Sequence, residues 1–330
     1  EFRRVLFRSN LRQNKVNFSL AGMIGFRKTN VTNSSDRVDF LANDKTAHLD
    51  QNNNPIGNGN FKYLRTGIDF LLDNRNTLTL NGNIGSGRFV NKDKLFLDFD
   101  TTGHPSHKAV RSSETEAVYR NYGTGLSYKH NFSKTGMEWT LDGNINYSEN
   151  DNLNNFSIDS YDGISYPIPA QRAAGNGNTR FYTAQTDFVN PIKQGHKIEM
   201  GARIAIRNFR NAANNYFKDG SGQYVLISGF GTDFSFEEKV MAAYTTYSRQ
   251  LKKISYQAGL RLERSDYKGF LNSEDQNFGN DYPLSLFPSL NITYALSPKK
   301  DLQFNFSRKI NRPNFFQVIP FVDSSDLRSE

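Results

Sequence analysis

Apolar and polar residues alternate with period two along most of this chain. Even positions are apolar at Val16, Phe18, Leu20, Ile24 and Phe26, while Asn17, Ser19 and Arg27 occupy the opposite parity. Successive strand residues point to opposite faces, so this pattern predicts a strand with one oily and one wet face. The same reading applies to Leu64, Ile68, Phe70 and Leu72, then to Leu78, Leu80 and Ile84, with Arg65, Asp69, Thr77, Thr79 and Asn81 opposite. Tyr122, Leu126 and Tyr128 lead to Trp139, Leu141, Ile145 and Tyr147, set against Glu138, Thr140, Asp142, Asn144 and Asn146. Ile198 to Ile206 opposes Glu199, Arg203 and Arg207. Val240, Ala242 and Tyr244 read as the apolar positions of the next strand. Tyr256, Ala258, Leu260 and Leu262 oppose Gln257, Arg261 and Glu263. Leu286 to Leu296 and Leu302, Phe304 and Phe306 complete the series. The alternation is weakest near Arg180–Val189.

The links between these segments alternate in length. Short ones fall at Asp73–Asn76, Phe132–Gly136, Asn190–Gly195, Arg249–Lys253 and Ser297–Lys300. Long ones fall at Thr29–Asn58, Asn91–Thr115, Asp151–Asn178, Phe209–Asp233 and Ser265–Pro283. Tight turns at one rim and long polar links at the other are the mark of an antiparallel, up-and-down transmembrane β-barrel. The expectation is an all-β chain of about eleven strands, a partial arc of a larger barrel of about 22 strands. The charged face is too polar to fill a dry interior. It is assigned to a hydrated lumen, and the Leu, Ile and Phe face to lipid. An arc alone would leave two raw edges, so the chain by itself is expected not to close.

Composition narrows the class. The chain has 330 residues and no cysteine, which excludes disulfides and thiolate metal sites. No run approaches the roughly 18 apolar residues of a helical membrane span. The 27 Phe and 16 Tyr suit interfacial aromatic girdles. Residues 1–9 read EFRRVLFRS, letter for letter the translation of a sequencing-adapter oligonucleotide, and 328–330 match its reverse complement. The ends are therefore set aside as adapter-derived, and 10–327 is taken as the partial barrel domain. Dropping Arg3, Arg4, Arg8 and Glu1 lowers the net charge from +8 to +6, since Arg328 and Glu330 cancel. That charge is scattered and mild, which argues against nucleic acid as a partner.

Two stretches carry a family likeness. Leu286–Ser297 reads LFPSLNITYALS and Ser307–Asp323 reads SRKINRPNFFQVIPFVD, with DLQFNFS between. This pair resembles the barrel of TonB-dependent outer-membrane receptors, especially the Bacteroidota-type β-barrel family. The run stops at Asp323–Asp326, before the Gly-Asn-Pro-Leu type continuation of that family, as a truncated gene would. The resemblance implies a receptor in the outer membrane of a Gram-negative bacterium. It would import a scarce nutrient of the siderophore, oligosaccharide, peptide or cobalamin class. It also implies an N-terminal plug and a TonB box, both outside this sequence, for contact with the TonB complex. Outer-membrane lipid and lipopolysaccharide, and a surface lipoprotein, are the other implied partners. A passive porin and a cell-surface glycan-binding β-protein remain as alternatives.

Candidate chemistry is sparse. His104 and His107, with Asp98 and Asp100, have a donor set for a divalent ion but uncommitted spacing. The glycines of Gly82–Gly87 precede no helix, so they fail the context of a nucleotide loop and are read as room for a close neighbour. The pair Glu237–Glu238 lacks a supporting third group, and the chain is read as non-enzymatic. No catalytic, cofactor or metal residue is assigned. Tyr161, Tyr166, Tyr216, Phe217 and Tyr224 are the aromatic platforms a ligand could use. Arg203, Arg207 and Arg261 are expected to pair across strands with Glu199 and Glu263. Pro288 marks either a bulge near a rim or the residue before a strand start.

Overall fold

A computed structural model describes residues 1–41, 45–103, 106–160, 169–228, 231–272 and 275–311. The strands are β1 (Phe2–Gln13), β2 (Val16–Asn30), β3 (Asn33–Phe40), β4 (Thr46–Asn53), β5 (Ile56–Leu71), β6 (Asn76–Thr101), β7 (His107–Asn131) and β8 (Glu138–Ser160). They continue as β9 (Gln171–Lys193), β10 (His196–Lys218), β11 (Tyr224–Leu226), β12 (Thr232–Gln250), β13 (Ile254–Leu271), β14 (Gln276–Ser297) and β15 (Lys300–Ser307). The hydrogen-bonded order is β1-β2-β5-β6-β7-β8-β9-β10-β12-β13-β14-β15, with β3, β4 and β11 off this path. The order follows the sequence, as an up-and-down antiparallel fold requires. One strand more than expected lies on the path, because residues 2–13 pair with β2 along their whole length.

The short turns fall where the alternation breaks. Asp73 accepts hydrogen bonds through one carboxylate oxygen from the N–H of Arg75 at 2.7 Å and of Asn76 at 2.9 Å. That side chain mimics a backbone turn. Gly195 sits at φ 74°, where a Cβ would meet the carbonyl of Gln250. Asn14 takes φ 51° in the turn from β1 to β2.

The long links are the main departure from expectation. They are mostly strand: β6 runs 26 residues and β7 runs 25. Only residues 272–275 separate β13 from β14. A bilayer crossing needs about 9–11 tilted residues, so these strands continue far past it on the side away from the short turns. The link after β2 folds into the β3–β4 hairpin, and β4 takes over the edge of β6 from Leu95 to Thr101, beyond the stretch that β5 covers. In water both faces of a ladder are wet, so the extensions keep their hydrogen bonds and lose the alternation.

Register fixes the faces, because directly opposite residues share one. Phe18, Ile68 and Leu80 lie opposite one another across β2, β5 and β6. Leu262 lies opposite Leu286 across β13 and β14, and Leu290, Ile292 and Tyr294 lie opposite Phe306, Phe304 and Leu302 across β14 and β15. These apolar side chains are exposed: Ile84 by 54%, Leu126 by 52%, Phe304 by 57%. They gather within about 11 residues of the short turns, the height of one apolar layer. Among the described residues the buried apolar side chains are few, and none of those alternating Leu or Ile residues is among them. These strands therefore carry a continuous apolar face that no core of the described residues covers.

β12 takes the opposite parity from the one its apolar residues suggest. On β12 the Tyr244 hydroxyl donates to Asp187 and Ala242 is buried. Val240, Ala242 and Tyr244 thus share the polar face, and Met241 and Ala243 take the oily one. Pro288 lies inside β14, opposite Leu260. Its carbonyl accepts from the N–H of Arg308, so its missing N–H faces the side where the β15 ladder ends. The irregularities of this strand sit elsewhere, between Glu263 and Ser265 opposite the stretch that holds Pro283, and between Ala295 and Ser297 against β15.

The chain divides into two compact units. One comprises Glu1–Leu126, Asn144–Phe181 and Phe209–Ser235; the other comprises Ser127–Gly143, Tyr182–Asn208 and Phe236–Glu330.

Candidate ligand-contact face

The polar face carries the groups that can meet a solute. In the first unit Asp69 accepts from Asn17 at 3.0 Å and from Thr79 at 2.8 Å, tying β2, β5 and β6 together. Asn83 donates to Asn121 at 2.9 Å. Asn83 and Asn146 crowd Gly123, and Asn81 and Asn144 crowd Gly125. This wall is rich in amides, with donors and acceptors in both directions around the Asp69 carboxylate.

Above the amides the same face turns aromatic. Phe61 covers Gly25, Phe89 covers Gly59, and Tyr119 covers Gly87, each where a Cβ would collide with the ring. Phe89 and Tyr119 stack at 5.9 Å. Of the Gly82–Gly87 segment, Gly87 thus makes room for a neighbour's ring, as the sequence suggested.

In the second unit the polar face is charged. Arg261 pairs with Glu263 at 2.7 Å and lies 5.6 Å from the centroid of the Tyr244 ring. Arg207 pairs with Glu238 at 3.4 Å, and the Tyr267 hydroxyl donates to Glu238 at 3.2 Å. Tyr267 lies beyond the apolar band; its burial, with Glu238 beside it, raises its hydroxyl above the ordinary phenol range. Phe236, Tyr267, Phe278 and Tyr282 form an aromatic cluster there, with centroid spacings from 5.5 to 6.4 Å.

The expected partners of the arginines are therefore partly corrected. Arg261 and Glu263 are two apart on one strand and share its face. Glu199 is held by Lys197 at 2.9 Å instead of by an arginine. Glu238, read only as half of an acidic pair, is the partner of Arg207. Glu237 and Glu238 point to opposite faces of β12, which separates the two carboxylates.

The other candidates disperse. Asp98 pairs with Lys108 at 3.0 Å. Among the described residues no group of three His, Asp or Glu could hold a metal, and His104 lies outside them. Tyr161, Tyr166 and residues 312–323 of the RPNFF run also lie outside the described residues. Tyr216 and Phe217 sit in β10, opposite Leu226 and Val225 of β11, on strand and not on loop. Tyr224 is held by Arg172, whose guanidinium carbon is 3.8 Å from its ring centroid. Asp219 closes the turn between β10 and β11. Hydrogen bonds from Ser221, Gln223 and Gly222 hold its carboxyl below the usual aspartate range.

Residues 130–329 match the model of the outer membrane protein beta-barrel family. No curated protein sequence matches the chain. The unliganded ferric citrate transporter FecA is similar at 13% identity and a TM-score of 0.51, over 92% of this chain and 42% of that one. The translocator domain of autotransporter NalP from Neisseria meningitidis has 13% identity and a TM-score of 0.31, over 90% of this chain and 84% of that one. The outer membrane protease OmpT from Escherichia coli has 11% identity and a TM-score of 0.24, over 92% and 98%. At such identities a likeness speaks for the fold alone. The family match covers more than half of the chain: this chain belongs to the outer membrane protein β-barrel family, and its place is the outer membrane.

Proposed function

We propose that the chain forms part of the barrel wall of a TonB-dependent receptor of the Bacteroidota type, which imports a scarce nutrient and catalyses no reaction. The observation that carries this reading is the length of the strands on one side only. Strands of 22 to 26 residues build a tall extracellular wall on short periplasmic turns. A passive pore has less use for such a wall than a receptor that must first capture its ligand. The amide and aromatic lining of the polar face supports capture of a hydrated organic solute. The fold likeness to a ferric citrate transporter, and the LFPSLNITYALS and RPNFF stretches, support the same reading. The TonB complex, through a region outside this chain, and a surface lipoprotein are the partners it implies.

Uptake tests it. Cells with and without the gene would be given labelled ferric siderophore, oligosaccharide, peptide and cobalamin, each with and without an uncoupler of the inner membrane. The expected result is one class whose uptake is lost on deletion and on uncoupling. Flux that depends on the gene and survives the uncoupler would identify a passive channel instead.

A further inference from the structure

We infer that the rim of short turns in the second unit docks on the carboxylate-bearing peptidoglycan layer beneath the outer membrane. Four turns build this rim: residues 132–137, 190–196, 249–253 and 297–301. They hold Lys134, Lys193, Arg249, Lys252, Lys253, Lys299 and Lys300, with Asp301 as their one carboxylate. Seven cations less one carboxylate leave an excess of six, as large as that of residues 10–327 together. The inference rests on the outer-membrane location, where short barrel turns face the periplasm, and is independent of the import reading.

The fold gathers cations that the linear chain scatters. Lys134 Nζ donates to Asn190 Oδ1 at 3.0 Å and to the Ile192 carbonyl at 3.3 Å, across to the next turn. The Gly195 carbonyl accepts from the Gln250 N–H at 2.7 Å, and the Lys253 carbonyl from the Ala295 N–H at 2.8 Å. The four turns are thus tied in one row. At ~4.8 Å between strands and a tilt of ~45°, successive turns stand about 14 Å apart, and the row spans about 40 Å. The six lysines are exposed, and none of the seven cations forms an ion pair among the described residues. Neighbouring carboxylates are already engaged, Glu138 by Lys129 at 2.6 Å and Glu199 by Lys197 at 2.9 Å.

This arrangement selects its partner. A row of that length fits a polymer of repeating carboxylates better than one small anion, because the fields of its charges add along it. A folded protein is a poor match, since interface cores favour aromatic residues and arginine and are depleted in lysine. Six of the seven cations are lysine, and Phe132, the one Phe, Tyr or Trp of these turns, packs on His130 and Phe188. Membrane headgroups match only part of the row. Lys193 has the parity of Asp187 on β9, and Lys253 continues that of Gln257 and Arg261 on β13, both on the wet face. Phosphates beside the wall meet the other parity, whereas a charged layer beneath the rim meets both.

The test sediments the complete barrel, extracted from its own outer membrane in mild detergent, with purified peptidoglycan sacculi. The unaltered protein should co-sediment at about 0.1 M salt and be released at about 1 M, where screening acts beyond ~3 Å. Sacculi with amidated carboxylates should retain it at least tenfold less. The combined change Lys252→Glu, Lys253→Glu, Lys299→Glu and Lys300→Glu alters exposed side chains without ion pairs, and gel mobility checks that the barrel folds. Retention should fall at least tenfold, since one cation near an anionic surface contributes a factor of about five. Reversing Lys28, Lys62, Lys94 and Lys268, away from the short turns, should leave retention unchanged, which separates the rim from net charge. No co-sedimentation of the unaltered protein, undiminished retention of the rim variant, or an equal loss in both variants overturns the site. Undiminished retention on amidated sacculi overturns the carboxylates as its ligand. Release by anionic phospholipid vesicles, but not by zwitterionic ones, assigns the rim to lipid and overturns peptidoglycan.

Discussion

Placing a charge on Leu260 tests the orientation of the whole sheet. Leu260 is 43% exposed and lies six residues into β13. At ~3.3 Å per residue and a tilt of ~45° it stands about 14 Å above the short turn, near the middle of an apolar layer about 25 Å tall. Arginine at the midplane of a lipid-facing barrel wall costs about 2–4 kcal/mol, falling to about 0–1 near the interface. Leu260→Arg should therefore lower the folded-to-unfolded ratio by about 30- to 1,000-fold. Ile254→Arg, at the start of the same strand, should cost about 1 kcal/mol or less. Gln257→Arg, on the opposite parity and facing water, should stay within about 0.5 kcal/mol. The assay is a urea titration in lipid vesicles, read by the gel mobility of folded and unfolded forms, on the complete barrel that contains these strands. If Gln257→Arg proves the costly change and Leu260→Arg the neutral one, the faces are exchanged and the reasoning fails.

Other outcomes follow from single contacts. Gly87→Val puts methyl groups into the ring of Tyr119 and should cost about 1–3 kcal/mol in the same titration, whereas Gly143→Ala, which meets nothing within 4 Å, should not. Tyr244→Phe removes the hydrogen bond to Asp187 and should cost about 0.5–1.5 kcal/mol; a double-mutant cycle with Asp187→Ala should show the two coupled. The Asp219 carboxyl is held low by hydrogen bonds from Ser221 and Gln223. Its contribution to the β10–β11 turn is complete above the ordinary aspartate range and is lost as the pH falls through its depressed value. Amide exchange at Ser221 and Gln223 should quicken over that acid window, and Asp219→Asn should abolish the step. Glu116→Gln breaks an exposed, solvent-screened pair with Arg88 and should leave the midpoint of the same titration unchanged.

Legibility varied with environment. The turns were readable because turn chemistry is local: Asp73 caps its own backbone, and Gly195 occupies a left-handed conformation that few residues adopt. The faces of β2, β5, β6 and β13 to β15 were readable because lipid on one side and water on the other impose strict alternation. On β12 small and aromatic residues occur at both parities. There the contact of Tyr244 with Asp187 decides the face, and no count of apolar residues could. The arginine partners were partly misjudged for a related reason. Glu263 is the partner of Arg261, though along one strand, while Glu199 goes to Lys197 and Arg207 reaches Glu238 through a pairing register that the one-dimensional string does not contain.

The sequence by itself determined that this is a chain of antiparallel strands with one oily and one wet face, joined tightly at one rim. Solvent contrast writes that pattern residue by residue. Only the tertiary structure decided how far the strands run beyond the membrane, where the β3–β4 hairpin lays its edge, and which side chains meet across strands. In water the two faces of a ladder look alike, so nothing in the residue types separates an extended strand from a polar loop. There the partner strand's hydrogen bonds make the difference, and they come from far along the chain.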